Sequence, residues 1–172
     1  MNHHDGFREF VLARQQALMR TAYLLTGDAH LAEDLLQSVL IKIAGQWPKL
    51  SRGGSPEAYT RKALVNQYIS WRRRPRLELP SADPPDRGAS YDEAALDRIV
   101  LRRALAKLTP KQRAVIVLRF WEDLTEPQTA EALGCSVGTV KSQAHHALTR
   151  LRTLTPELTH LLSDSEIREV AQ

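Results

Sequence analysis

The chain is poor in the residue types that most chemistry needs. It has a single cysteine, Cys135, among 172 residues. That excludes an internal disulfide, and the sequence around it lacks the other ligands of a thiolate metal site. Aromatic residues make up only 6%, so the cores must be built from Leu, Ile, Val and Ala. No apolar run approaches the roughly 20 residues of a membrane-spanning helix. The first residues lead into charged amphipathic sequence instead of a signal-peptide core. Together these features imply a cytoplasmic protein without membrane insertion. The eight glycines form no phosphate-cradling loop, and no nucleophile, base and acid fall in a catalytic pattern. The chain therefore reads as a non-enzyme with no cofactor and no metal. His3 and His4 are adjacent, but they read as a frayed terminus rather than a metal pair. Alternating strand patterns are absent too, and every periodic segment has helical spacing.

Acidic residues are missing in one place: none occurs between Ala132 and Pro156. The overall charge of +4 permits an anionic partner, but this local gap is more pointed. Thr125 with Gln128 forms a capping box, and Pro127 sits in the first helical turn, where its missing N–H costs little. A short helix runs through Ala130, Ala132 and Leu133 until Gly134 turns the chain left-handed. Ser136 caps the next helix. There Val137, Val140, Ala144, Ala147, Leu148 and Leu151 form an apolar stripe. The opposite face carries Thr139, Gln143, His146 and Arg150, flanked by Ser142 and Thr149. This is a helix-turn-helix pattern. Small polar and basic side chains on an acid-free helix suit base edges and phosphates in a major groove. An ordinary amphipathic surface helix is the plainer alternative.

The N-terminal half reads as three helices. Residues 5–25 form the first, with Phe7, Phe10, Val11, Ala17, Leu18, Ala22 and Leu25 on its apolar positions, Gly27 as its stop and Asp28 as the next cap. The second spans 29–46 with a core face of Leu31, Ala32, Leu35, Leu36, Val39, Leu40 and Ile43. On its reverse face Asp34, Gln37 and Ile41 cluster, either as a protein-binding patch or as one stray exposed apolar residue. Trp47, Pro48 and the run to Ser55 read as a loop. Ser55 and Pro56 open the third helix, which turns Ala58, Leu64, Val65, Tyr68 and Ile69 inward. Tyr59, Thr60, Asn66, Gln67, Ser70, Arg73 and Arg74 face out. Its end, Trp71 to Arg74, mixes arginines with an aromatic, as a nucleic-acid strand requires. Favourable charge at a helix C-terminus would explain the arginines alone.

Residues 76–91 are rich in proline and acids and read as a flexible linker, extended and mobile. The spacing predicts a helix over 91–108. A second capping box at Thr109 and Gln112 then opens a helix through Val115, Ile116, Leu118 and Phe120. Thr155 and Pro156 start a last short segment.

The segments AEDLLQSVLIKI (32–43), SPEAYTRKALVNQYISWRRR (55–74) and LTPKQRAVIVLRFWEDLTEPQTAEALGCSVGTVKSQ (108–143) together resemble bacterial RNA polymerase sigma factors. The likeness is to the extracytoplasmic-function (ECF) group, SigE-like actinobacterial branch, and covers about residues 5–154. It implies an all-α fold: two small helical domains joined by a flexible Pro-rich acidic linker, the second containing the helix-turn-helix. The implied division is 1–75 (region 2), 76–91 (linker), 92–154 (region 4) and 155–172 (tail). The resemblance also implies roles. Asp34, Gln37 and Ile41 would bind core RNA polymerase. Asn66, Gln67, Ser70, Trp71, Arg73 and Arg74 would hold the melted −10 element, with the loop from Leu50 to Gly54 around a flipped base. Ser136, Thr139, Lys141, Ser142, Gln143, His146 and Arg150 would read the −35 duplex. Partners would be core RNA polymerase through both large subunits, promoter DNA, and an anti-sigma factor as a further candidate. Many relatives carry Arg where this chain has Gln143 and His146, so the mode of binding transfers better than any promoter sequence. A LuxR-type regulator binding DNA as a dimer shares the helix-turn-helix outline and is the alternative, although residues 1–90 offer no sensing domain for it.

Overall fold

The computed structural model describes residues 3–74 and 93–156. Among them every regular element is helical: α1 (His3–Thr26), α2 (Ala29–Gly53), α3 (Pro56–Arg73), α4 (Glu93–Ala106), α5 (Pro110–Ile116) with a π-helical continuation (Val117–Trp121), α6 (Glu126–Leu133) and α7 (Val137–Leu154). The expected linker, 76–91, and the tail beyond Pro156 lie outside the described residues. Among those residues no helix is long and apolar enough to cross a membrane.

The boundaries follow from local chemistry. Gly27 ends α1 at φ +72°, a left-handed conformation that side chains resist. The Asp28 carboxylate then accepts the Leu31 N–H at 2.9 Å and starts α2. Ser55 Oγ accepts the Ala58 N–H at 3.2 Å at the head of α3. Thr109 and Gln112 cap each other's backbone before α5, as Thr125 and Gln128 do before α6.

α1, α2 and α3 pack together, joined by Leu18, Ala22 and Leu25 of α1, Leu35, Val39 and Ile43 of α2, and Leu64, Val65 and Tyr68 of α3. Burying one such aliphatic side chain contributes about 1.5–3 kcal/mol. α2 is longer than its periodicity suggests. The expected loop at Trp47 is instead helix to Gly53, running through Pro48. Trp47 continues the stripe of Val39 and Ile43, is buried, and meets the rings of Phe7 and Phe10 at centroid distances of 5.4 and 5.3 Å. Leu50 is buried one turn on. This packing outweighs the one backbone hydrogen bond that proline removes. α1 likewise begins at His3 rather than after a frayed start. Thr60, expected outside, is fully buried, with its hydroxyl donating to Pro56 O at 2.6 Å.

α5, α6 and α7 form the second unit around Val115, Ala130, Val140 and Ala144. α4 joins it through Ala104 and Leu105 and, just past its end, Leu108, which meet Ile116, Leu148 and Leu151. Val137, expected in the apolar stripe, is instead 37% exposed at the start of α7. The two units are not separate bodies here. Ala114, Val117, Leu118 and Ala132 belong to the same buried cluster as the core of α1–α3, and α3 packs against both α5 and α6.

Candidate nucleic-acid and polymerase interfaces

The helix-turn-helix is set by its turn. Gly134 takes φ +64° and ψ +39°, and its N–H with that of Cys135 closes onto the carbonyls that end α6. A Cβ at Gly134 would meet nothing within 4 Å, so the glycine is there for the dihedral alone. Ser136 Oγ accepts the Thr139 N–H at 3.1 Å and lies 3.0 Å from the Thr139 hydroxyl. Val140, Ala144, Ala147, Leu148 and Leu151 are buried beneath α7. Ser136, Thr139, Lys141, Ser142, His146 and Arg150 are exposed along its outer side, and Gln143 is half-buried. All seven residues expected to read duplex DNA thus lie on α7 or its cap. Lys141 Nζ stands 3.7 Å from Glu126 Oε2, so α6 steadies this cation at the edge of the face. His145, which the sequence reading passed over, is exposed, and its ring packs edge-on to His146 at 5.8 Å.

The patch on α2 is equally open. Asp34, Gln37 and Ile41 are exposed, and Ile41 is 74% accessible. The surface of α3 is different. Ser70, Arg73 and Arg74 are exposed, and Trp71 is half-buried against the core. Gln67, however, accepts a hydrogen bond from Lys42 Nζ. Asn66 Nδ2 donates to Ala132 O of α6 at 3.3 Å, across to the other unit. Of the expected base-capturing turn, Leu50 is buried inside α2, while Ser51 to Gly54 are exposed.

Four residues that sequence reasoning missed tie the units together. Glu122, just past the π-helical turn, accepts from Arg61 Nε at 2.8 Å and from the Thr21 hydroxyl. Arg61 is also 3.6 Å from Glu57, which pairs with Arg14 at 3.0 Å. Arg113 is 6% exposed, and its Nε donates to Leu24 O at 2.6 Å. Its guanidinium lies beside Tyr68. Burial pushes the Tyr68 hydroxyl above its usual pKa of 10.0, and the Arg113 charge partly offsets this. Burial in turn pulls Arg113 down. The one signal available in sequence was a charged residue directly at the head of the apolar run Ala114 to Leu118. Gly27 answers it: a Cβ there would come within 3.1 Å of Arg113 Nη2.

Two helical units, one of them a helix-turn-helix with an acid-free outer face, define a helical DNA-binding protein of transcription. Comparison with known proteins makes the class specific. The family profile "Sigma-70 region 2" matches residues 10–77, and "Sigma-70, region 4" matches residues 98–151. The chain is 43% identical over 150 residues to an RNA polymerase sigma-E factor of Streptomyces avermitilis, covering 85% of this chain and 83% of that one. It is 35% identical over 149 residues to the ECF RNA polymerase sigma factor SigL of Mycobacterium tuberculosis, covering 82% and 84%. Among solved structures it is similar to the sigma factor RpoE of Bartonella quintana, determined with the anti-sigma factor NepR. That match has a TM-score of 0.67 and 26% identity over 87% of this chain and 96% of that one. The chain belongs to the ECF sigma factors and is similar to their actinobacterial SigE-like members. These matches give no support to a stand-alone LuxR-type regulator.

Proposed function

We propose that this sigma factor divides its work as follows. Residues 1–75 carry core polymerase and −10 binding, 76–91 link, and 92–154 carry −35 binding. The α2 patch of Asp34, Gln37 and Ile41 docks core RNA polymerase: an exposed isoleucine between a carboxylate and an amide offers apolar contact with polar registration. The outer face of α7 enters the major groove of the −35 element. Gln143 can pair bidentately with adenine, while Lys141 and Arg150 take phosphates. The unpaired −10 strand lies along α3, with Arg73 and Arg74 on its backbone and Trp71 offering its free edge to a base. No covalent bond is made or broken. Capture of unstacked bases shifts the closed-to-open promoter equilibrium, so the protein acts by differential binding and not as an enzyme. Its working compartment is the cytoplasm, with polymerase and promoter. The Bartonella relative was solved with an anti-sigma factor, and a partner of that class is a further candidate for this chain.

The observation that carries this reading is the exposed, acid-free face of α7 set behind a glycine turn. A second observation adds a condition. Asn66 is held by α6, so full engagement of a −10 strand requires the two units to part. In vitro transcription with purified core polymerase on a promoter-fragment library tests the whole. New, sequence-specific starts that need both components are expected. Palindrome binding by the chain alone, without new starts, would overturn the reading.

A further inference from the structure

A groove of about 1010 Å³ runs between α1, the start of α2 and α4. Tyr23, Leu24, Ile99 and Leu105 give it apolar walls, and Trp121, 49% exposed, adds an aromatic edge. Its charge is one-sided. Arg20, Arg98, Arg102 and Arg113 line it, against the single carboxylate of Glu33 among the described lining residues. Arg113 forms its buried base, 6% exposed, with its Nε already donating to Leu24 O. Arg20 and Arg98 are exposed and open to an anionic partner. The groove therefore fits an amphipathic acidic segment: apolar side chains for its walls, carboxylates for its arginines.

Such a segment follows α7 in the sequence. Residues 157–172, outside the described residues, read ELTHLLSDSEIREVAQ. They place Leu158, Leu161, Leu162, Ile167 and Val170 among Glu157, Asp164, Glu166 and Glu169, with Arg168 as the one Lys or Arg. The segment starts where α7 ends. Lys107 Nζ donates to Leu154 O there at 2.9 Å and ties that end to the residue just past α4, the helix that forms one wall. From residue 107 to 98 along a helix is about 14 Å. Sixteen residues reach about 24 Å as helix and about 50 Å extended, so the groove is within range. The linker, 76–91, is also acidic, but its prolines break any helical spacing of apolar residues.

We propose that residues 157–172 seat in this groove, with their leucines on the Tyr23–Leu24–Leu105 wall and their carboxylates toward Arg20 and Arg98. Seated there the segment touches both units, because α1 and α4 come from different ones. The inference rests on the groove and the chain's own sequence, not on promoter binding. The test uses the full-length protein with Cys135→Ser and Ser163→Cys, a nitroxide on the new thiol, and amide NMR. Amides of Tyr23, Leu24 and Ile99 should lose most of their peak intensity, not only those at the end of α7. Joint Asp164→Lys, Glu166→Lys and Glu169→Lys should restore it, as should Arg98→Glu. Pairing Arg98→Glu with Glu169→Arg should bring the broadening back. Undisturbed α1 amides in a folded full-length protein would overturn the proposal. So would broadening that survives the triple reversal. Broadening from a Ser81→Cys label but not from Ser163→Cys would give the groove to the linker instead. Broadening that fades on dilution would give it to a second copy.

Discussion

Replacing Glu122 by alanine should open the protein. Glu122 and Arg61 are each buried to about four-fifths of their side chains (19% and 18% exposed) and meet at 2.8 Å. A hydrogen bond to a charged group contributes about 1.5–3 kcal/mol. Two features lower that figure here. Arg61 keeps Glu57 at 3.6 Å, and the Thr21 hydroxyl keeps Ala17 O at 3.2 Å, so neither former partner is orphaned. Partial solvent screening reduces it further, to about 1–2 kcal/mol. That energy acts on closure and not on either unit's core, because Arg61 lies on α3 and Glu122 follows α5 and its π-helical turn. The closed-to-open ratio should fall about 5- to 30-fold. Single-molecule energy transfer reads this directly, between dyes at exposed Gln46→Cys and Arg152→Cys in a Cys135→Ser background. Arg61→Ala should shift the same population, and the double variant should add little beyond either single change. Unchanged transfer in Glu122→Ala would refute the reasoning, as would full additivity of the two substitutions.

The remaining predictions concern separate surfaces. Gln143→Ala should lose about 1–3 kcal/mol of discrimination at one −35 base pair, whereas Arg150→Ala should weaken binding to all sequences and flatten the salt dependence by about one charge; binding to a promoter library at several salt concentrations separates them. Ile41→Glu should abolish association with core polymerase in a pull-down while leaving the melting curve unchanged, because Ile41 is 74% exposed. Gly134→Ala should cost about 1–2 kcal/mol for its left-handed dihedral alone. Gly27→Ala should cost more in the same denaturant titration, since its Cβ also presses on Arg113 Nη2 at 3.1 Å. Tyr68 binds its proton more tightly folded than unfolded, so its contribution is fully present below pH 10.0 and is lost as pH rises through its elevated folded value. Tyr68→Phe should therefore flatten the alkaline limb of the stability curve.

The sequence disclosed what is local and hid what is not. The caps at Asp28, Ser55, Thr109, Thr125 and Ser136, and the stops at Gly27 and Gly134, were legible because each bond spans two to four residues. The outer face of α7 was legible for the same reason, since helical period alone puts Thr139, His146 and Arg150 together. The run of α2 past Pro48 was not, because it depends on Trp47 meeting Phe7 and Phe10 of another helix. Val137 misled because a stripe seen in sequence does not say where the partner helix stops covering it. The closure between units was wholly hidden. Arg61 and Glu122 are ordinary charges until the fold brings them together, and nothing in the spacing of Asn66 shows that α6 will take its amide.

Cys135 gives the helix-turn-helix a built-in reporter. It is the chain's only thiol, half-buried and packed against Val115, Ala130, Val140 and Ala144 at the turn itself. The packing of that small core covers part of the residue, so loosening at the turn would expose its thiol further. Its rate of labelling in native buffer therefore follows how tightly the turn packs around it, as a probe at a single site. No engineered probe is needed, and no other sulfhydryl contributes background. A promoter fragment that clasps α7 should slow this labelling, which turns DNA occupancy into a chemical rate read from one atom of the unmodified protein.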